Sequence, residues 1–458
     1  MTNSRHSQLV SLVLLVACSS TAATTTITPV ARILANPDVS ATAGAAFSYD
    51  ARSAFSGTTP TYAVLISPST SGLAGSGGVI SGTPIVPGAI TVIVTAQNGS
   101  GSPVADTFTV YAFAAALNAP TLPTTTFKYA DAEIGLPAHY SFPTPVAAAD
   151  NTPANNPVTN AGATLGRVLF YDTRLSVNDK VACASCHLQA LGFSDTARLS
   201  HGFQGGVTAR HAMSLGNSRY YTRGKFFWDE RAATLEDQAL QPIQNSVEMG
   251  MTLDNLVTKL KLVSYYPALF QAAFGSTDIT SDRVSRAMAQ FVRAMSSYQS
   301  KYDRAVATND FSTLTAQEQL GMQLFMPVPG GVPTVGCDRC HGTAANISDN
   351  VHNNGLDVLA ADTGAGRGRF KAPSLRNVAL RTSFMHDGRF TTLRQVVDFY
   401  NTGVNAGPDL DNRLRNPDGS PHRLNLSSVQ VDAIVAFLNT LTDQVFITDP
   451  KFASPFGH

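Results

Sequence analysis

The sequence predicts a multidomain chain in which a small β-sandwich precedes two mainly α-helical domains built on one plan. Three observations predict it. Between Ala31 and Phe113, short runs of β-branched and aromatic residues alternate with Gly, Pro, Ser and Asn, as in short strands joined by turns. Beyond residue 160 the apolar residues recur at helical spacing. The pattern Cys-x-x-Cys-His occurs at Cys183–His187 and again at Cys337–His341, the two starting 154 residues apart. Each copy closely follows an apolar helical opening, which points to a duplicated domain. A chain of 458 residues is too long for one compact core. Its 32 basic residues cancel its 32 acidic ones, so the charge gives no footprint for nucleic acid or an acidic membrane surface.

At the start, Arg5 and His6 precede an apolar run from Leu9 to Ala17, far too short to span a bilayer. A basic start, a short apolar stretch and small residues afterwards describe an export signal. Leu15-Val16-Ala17-Cys18 resembles the lipobox of bacterial lipoproteins. That resemblance implies a signal over 1–18 and lipidation of Cys18, which anchors a chain to a membrane without crossing it. With Ser19 and Ser20 next, and no Asp, it implies a periplasmic protein held at the outer membrane, or the cell surface. The alternative is a plain cleavable signal with a chance cysteine. Residues 19–30 form a Thr/Ala-rich linker.

The strand-rich region is expected over 31–115. Ala46–Tyr49, Pro60–Val64, Ala89–Val94 and Thr107–Tyr111 alternate as half-buried strands do. The run Gly78–Pro84 is similar to immunoglobulin-like modules of bacterial surface proteins. The region carries no titratable cluster, so it reads as a spacer or adhesion module. Residues 116–159, rich in Pro, Ala and Asn, read as a second linker wrapping the next domain. Thr164–Phe170 opens the first helical domain, expected over 160–305. Thr315-Ala-Gln-Glu318 is a capping box that opens Leu320–Phe325 in the second, expected over 306–448.

Cys-x-x-Cys-His is the attachment signature of c-type haem. Two thiols one turn apart add across the vinyl groups, and the adjacent His becomes the proximal iron ligand. Cys183, Cys186 and His187 are thus assigned to one covalent haem; Cys337, Cys340 and His341 are assigned to the other. The helical domains are accordingly of cytochrome c type. A zinc half-site or a redox dithiol is the alternative. Zinc would need both pairs to meet at one metal, and would leave each His idle.

Between the motifs lies Phe226-Phe-Trp-Asp-Glu-Arg231, with the only tryptophan, and then Thr234–Gly250. This stretch is similar to the bacterial di-haem cytochrome c peroxidases and their relative MauG, over roughly residues 160–445. The resemblance implies that Trp228 lies between the haems and carries electrons. It implies that Gln238, ten positions on, and Glu248, twenty on, line the distal pocket of the N-terminal haem. The chemistry agrees: a peroxidatic iron needs an open face and a group that moves a proton from the inner to the outer oxygen. A core Trp and a surface Glu at a helix end are the plainer readings. His201, in Ser200–Gly205, resembles a displaceable loop ligand of that iron; an exposed loop His is the alternative.

Ala372–Asn377, Phe384–Arg389 and Thr392–Asn401 match the C-terminal signature of the family. Where the peroxidases carry an axial Met, this chain has Tyr400, as MauG does; Met385 is near enough to substitute. Leu393, Val396, Val397 and Tyr400 fall on one helical face, so a core Tyr is the plain reading. The family also implies one calcium ion, on the carbonyls of Arg381 and Ser383 with His211 in place of the usual Asn. Histidine is a poor partner for a hard cation. The expected activity is reduction of hydrogen peroxide by a small cytochrome c or cupredoxin, through the C-terminal haem to the N-terminal one. A MauG-like oxidase of a protein or organic substrate, or an electron-transfer lipoprotein without catalysis, are the competing readings. The oligomeric state stays open, a homodimer included.

Overall fold

The computed structural model describes residues 27–85, 88–113, 119–141, 143–346 and 350–456; Cys18 and the export signal lie outside the described residues. The chain divides into two compact units, residues 1–115 and 116–458.

The first unit is strand-rich. Its larger sheet runs Val39–Thr42, Val104–Phe113, Gly88–Gln97, Thr61–Ser67, the first pair parallel and the others antiparallel. A second sheet orders Phe47–Asp50, Val79–Gly82 and Leu73–Ser76, all antiparallel. The period-two pattern decides what is buried. Ile90, Val92, Val94 and Ala96 alternate inward with Phe108, Val110 and Ala112, and join Leu73 and Ile80 of the second sheet in one apolar cluster.

The second unit is mainly helical, and each half is organised around one close helix crossing. Helix Asn160–Tyr171 packs on Ser281–Ala294, and helix Ala316–Phe325 packs on Ser428–Asn439. Gly166 sits at the first crossing and Gly321 at the second. A Cβ on Gly166 would collide with the carbonyl of Ala287 beside Phe291; a Cβ on Gly321 would collide with the carbonyl of Ala433 beside Phe437. The same clash at the same place in both halves is the structural form of the duplication. Each opening helix is capped: Thr159 Oγ1 accepts from the Gly162 amide (3.0 Å), and Thr315 and Glu318 close the capping box.

A second repeated element follows. Phe226–Arg231 and Phe384–Arg389 are each closed by one bridge, Phe226 with Ala232 and Phe384 with Phe390. Phe227 (φ 69°) matches Met385 (φ 72°), and Glu230 (φ 54°) matches Gly388 (φ 69°). Each loop leads into a threonine-capped helix, Leu235–Gln244 after Thr234 and Leu393–Asp398 after Thr392. Trp228 and His386 therefore hold equivalent places, and so do Pro242 and Tyr400, each fourteen residues further on.

The described part of 119–159 packs against the helical unit. Tyr129 and Tyr140 are buried there, and their hydroxyls donate to the carbonyls of Lys451 (2.6 Å) and Ser297 (3.0 Å). The segment beyond residue 448 packs back on the first half. Arg167 Nε and Tyr171 Oη donate to the carbonyls of Ala453 (2.7 Å) and Phe452 (2.6 Å), and Phe446 and Phe452 close on Phe193. This strap helps make one unit of the two helical halves. No helix among the described residues is long and apolar enough to cross a membrane.

Candidate active site

Cys183–Ser185 forms a single tight turn, with the His187 amide donating back to the Cys183 carbonyl (3.1 Å). The turn fixes the thiol spacing and brings His187 round behind it. His187 Nδ1 lies 2.9 Å from the carbonyl of Phe193. Since a carbonyl only accepts, Nδ1 carries the proton and Nε2 keeps its lone pair for a metal. Burial pushes the Cys183 thiol up to about 12 and the Cys186 thiol up to about 11. A redox dithiol needs a lowered thiol pKa, so this environment argues against one.

The three motif residues line one cavity. Its other walls include the apolar Phe170, Val181, Leu215, Met288 and Val292, and also His201, Gln238, Pro242 and Glu248. Two thiols, an imidazole whose Nδ1 proton leaves the Nε2 lone pair for iron, and a largely apolar lining fit a covalent haem. Gln238 comes from helix Leu235–Gln244, whose interior Pro242 cannot donate to the Gln238 carbonyl. Glu248 follows in the turn after that helix and is half-buried. Burial raises its pKa above the usual carboxylate range, against an opposing pull from the Arg231 cation. His201 is exposed on a loop but borders the same cavity. That loop is pressed on the Glu248 turn: a Cβ on Gly202 would strike the Val247 carbonyl, and the Phe203 amide donates to the Glu248 carbonyl (3.0 Å). The structure thus brings Cys183, Cys186, His187, His201, Gln238 and Glu248 together.

At the second motif, burial pushes the Cys337 thiol up to about 12 and the His341 imidazole down to about 4. Tyr400 sits within electrostatic reach of both thiols. Burial, with Cys340 and Cys337 adding to it, raises its phenol to about 12, while a hydrogen bond from Asn354 opposes the rise. Asn354 Nδ2 donates to Tyr400 Oη (3.1 Å) and lies 3.6 Å from Met385 Sδ. One amide therefore gathers both candidate axial side chains. The expected common face of Leu393, Val396, Val397 and Tyr400 is corrected. The helix ends at Asp398 and continues as a wider π turn, Phe399–Gly403. Leu393 and Val397 stay in the large second core, whereas Tyr400 packs with Met385, Leu356 and Phe399. Among the described residues no group of three or more His, Cys, Asp or Glu side chains is placed to hold a metal ion, so the two cysteine pairs do not meet at one.

Between the motifs, Trp228 is buried, 7 % exposed. Its Nε1 donates to the His211 carbonyl (2.7 Å), and its ring lies 6.4 Å from that of His386, edge to face. The His211 amide donates to the His386 carbonyl (2.8 Å), and Phe370 stacks on the His386 ring at 3.6 Å. Trp228 is thus wired into the second half through its equivalent loop. The one side chain expected to bind calcium, that of His211, is already engaged. His211 Nδ1 is engaged by the Arg198 carbonyl (3.0 Å), its Nε2 stands 3.3 Å from Ser194 Oγ, and the Arg381 cation acts on its ring. Sequence reasoning missed His386, Asn354 and the pairing of Pro242 with Tyr400. Matching Phe226–Arg231 to Phe384–Arg389 would have found the first and third; nothing local announces Asn354.

The sequence profile described as "Di-haem cytochrome c peroxidase" matches residues 160–310 and 315–442. The "Methylamine utilization protein MauG" of Methylorubrum extorquens is 35% identical over 313 residues, 65% of this chain and 83% of that protein. The "Cytochrome c551 peroxidase" of Nitrosomonas europaea is 32% identical over 309 residues, 64% of this chain and 82% of that protein. Among solved structures, a MauG-like protein associated with microbial copper homeostasis superposes with a TM-score of 0.60 at 31% identity, covering 70% of this chain and 99% of its own. The diheme peroxidase BthA from Burkholderia thailandensis shares the fold, with a TM-score of 0.54 at 24% identity over 65% of this chain and 91% of its own.

Proposed function

Because the chain belongs to the di-haem cytochrome c peroxidase family, with two c-type haems and peroxide as the substrate of an oxidoreductase, we propose that it reduces hydrogen peroxide to water with electrons relayed from the C-terminal to the N-terminal haem. The donor is a small redox protein, a monohaem cytochrome c or a cupredoxin. Bound haem supplies the redox centre and an open coordination position for peroxide. The chain's own residues do the rest. Glu248 takes the proton from the inner peroxide oxygen and delivers it to the outer one, so that water leaves. Two electrons and two protons are consumed for each peroxide and two waters form. Gln238 orients peroxide by hydrogen bonding, His201 is the displaceable group on the loop above, and Trp228 carries electrons between the halves.

The observation that supports this reading is the shared cavity, in which a half-buried carboxyl with a raised pKa borders the same space as Cys183, Cys186 and His187. The test is steady-state peroxide turnover with a reduced small cytochrome. Glu248→Gln is expected to retain both haems and to slow turnover by about 10² or more, the scale of a lost acid–base group. Near-normal rates would reject the role. A second reading, a MauG-like oxidase of a protein or organic substrate, is favoured by one observation: a buried Tyr400, not a Met, is within electrostatic reach of the second thiol pair. It predicts peroxide consumption that no reduced cytochrome accelerates. The basic and apolar start carries the proposal of export, and Leu15–Cys18 that of a lipid anchor; Gly78–Pro84 carries that of an immunoglobulin-like spacer or adhesion module.

A further inference from the structure

Arg381 is buried, 8 % exposed, yet no carboxylate lies within ion-pair distance of it among the described residues. Its Nη2 donates to the Ser374 carbonyl (3.0 Å), and its Nε has no hydrogen-bond partner. Other deep arginines are neutralised: Arg293 by Glu236 (2.6 Å) and Arg376 by Asp303. Arg167, which also lacks a contacting acid, is capped by the Ala453 carbonyl and lies over the Phe127 ring, with Asp449 acting on it. Arg381 has no such arrangement. A buried charge without a counter-ion is costly, so the orphaned guanidinium calls for an anion. Ser374 in turn donates its Oγ to the carbonyl of Ala345 (2.6 Å), four residues past His341, which places the guanidinium near the second haem motif.

We propose that Arg381 is the anion-binding residue of the C-terminal haem site, its guanidinium taking a carboxylate of the bound haem, and that it supplies from within the chain the positive charge that would otherwise call for a calcium ion between the halves. A fork of N–H donors suits a carboxylate better than a point charge does. The inference rests on the second haem and not on the peroxide chemistry, so a failure of either is seen separately.

The test is an optical redox titration of the holoprotein, with elemental analysis for calcium before and after chelation by EGTA. Arg381→Gln lowers the midpoint potential of the C-terminal haem, because removing a nearby cation favours the oxidised iron, and leaves the N-terminal haem unchanged. Arg381→Lys keeps most of the potential, and chelation changes neither spectrum nor potential. Loss of the second haem in Arg381→Gln but not in Arg381→Lys supports the assignment equally. An unchanged potential in Arg381→Gln overturns it. So does equal loss of the haem in both variants, or stoichiometric calcium whose removal shifts the potential.

Discussion

Tyr400 and Met385, the two side chains proposed for one axial position, both lie against the Asn354 amide. A phenolate ligand lowers an iron potential where a thioether raises it, so the choice governs which way electrons run. Tyr400→Phe is expected to change the optical spectrum of the C-terminal haem alone, while Met385→Leu leaves both haems as they were; the opposite pattern would give the position to Met385. Lys371 offers a test of a different kind. Its Nζ donates to the Lys225 carbonyl (3.0 Å) and stands over the Tyr221 ring at 3.4 Å. Burial pushes the ammonium down to about 7, with Glu230 opposing. Between that value and about 10.4, the usual lysine range, the unfolded chain binds a proton that the folded one does not. Stability therefore rises with pH across that window, and the destabilisation is at its full, constant value once pH is below about 7. Lys371→Met should flatten that part of the curve measured by denaturant unfolding; an unaltered slope would mean the ammonium stays charged when buried. These residues also mark where sequence stops informing. Cys183–His187 and Cys337–His341 were readable because covalent attachment demands neighbours in the chain. Asn354 and Tyr400 meet across 46 residues, and only packing brings them together.

The two helix crossings are the elements on which both halves depend, and each turns on one glycine. Gly166→Ala or Gly321→Ala must push the partner helix away from its carbonyl contact. Overpacking of this kind costs about 1–3 kcal/mol, and the expected result is a lower unfolding midpoint in thermal or denaturant melts of each variant. A midpoint equal to wild type would mean the crossing is looser than described. The openings Leu165-Gly166 and Leu320-Gly321 were legible as helix starts from their apolar spacing, the second also from its capping box. Their close approach was not, because the partner helices lie far along the chain. The π turn after Asp398 was equally hidden: the stripe Leu393, Val396, Val397, Tyr400 has perfect helical spacing, and one widened turn moves Tyr400 out of that core and towards Met385.

At the scale of the whole chain, residues 116–458 form a compact unit with its own apolar clusters. A chain truncated to that unit and directed to the same compartment is expected to mature with both haems and to keep its peroxide turnover; loss of either would assign the strand-rich unit a structural part. Truncation at residue 448 is expected to do worse, since it removes the strap that Arg167 and Tyr171 hold. The alternation in 31–113 made the strand-rich unit legible, whereas the burial of Tyr129 and Tyr140 in a Pro- and Ala-rich run was not, because two aromatic anchors do not alter a linker's composition. The account as a whole stands on an iron that is open in the first site and closed in the second. Its most direct test is a paramagnetic-resonance spectrum of ferric and half-reduced holoprotein, with and without cyanide. The prediction is two haem signals, with cyanide altering that of the N-terminal haem alone in at least one redox state. Two signals that cyanide leaves untouched at both redox levels, or a single haem per chain, would contradict it.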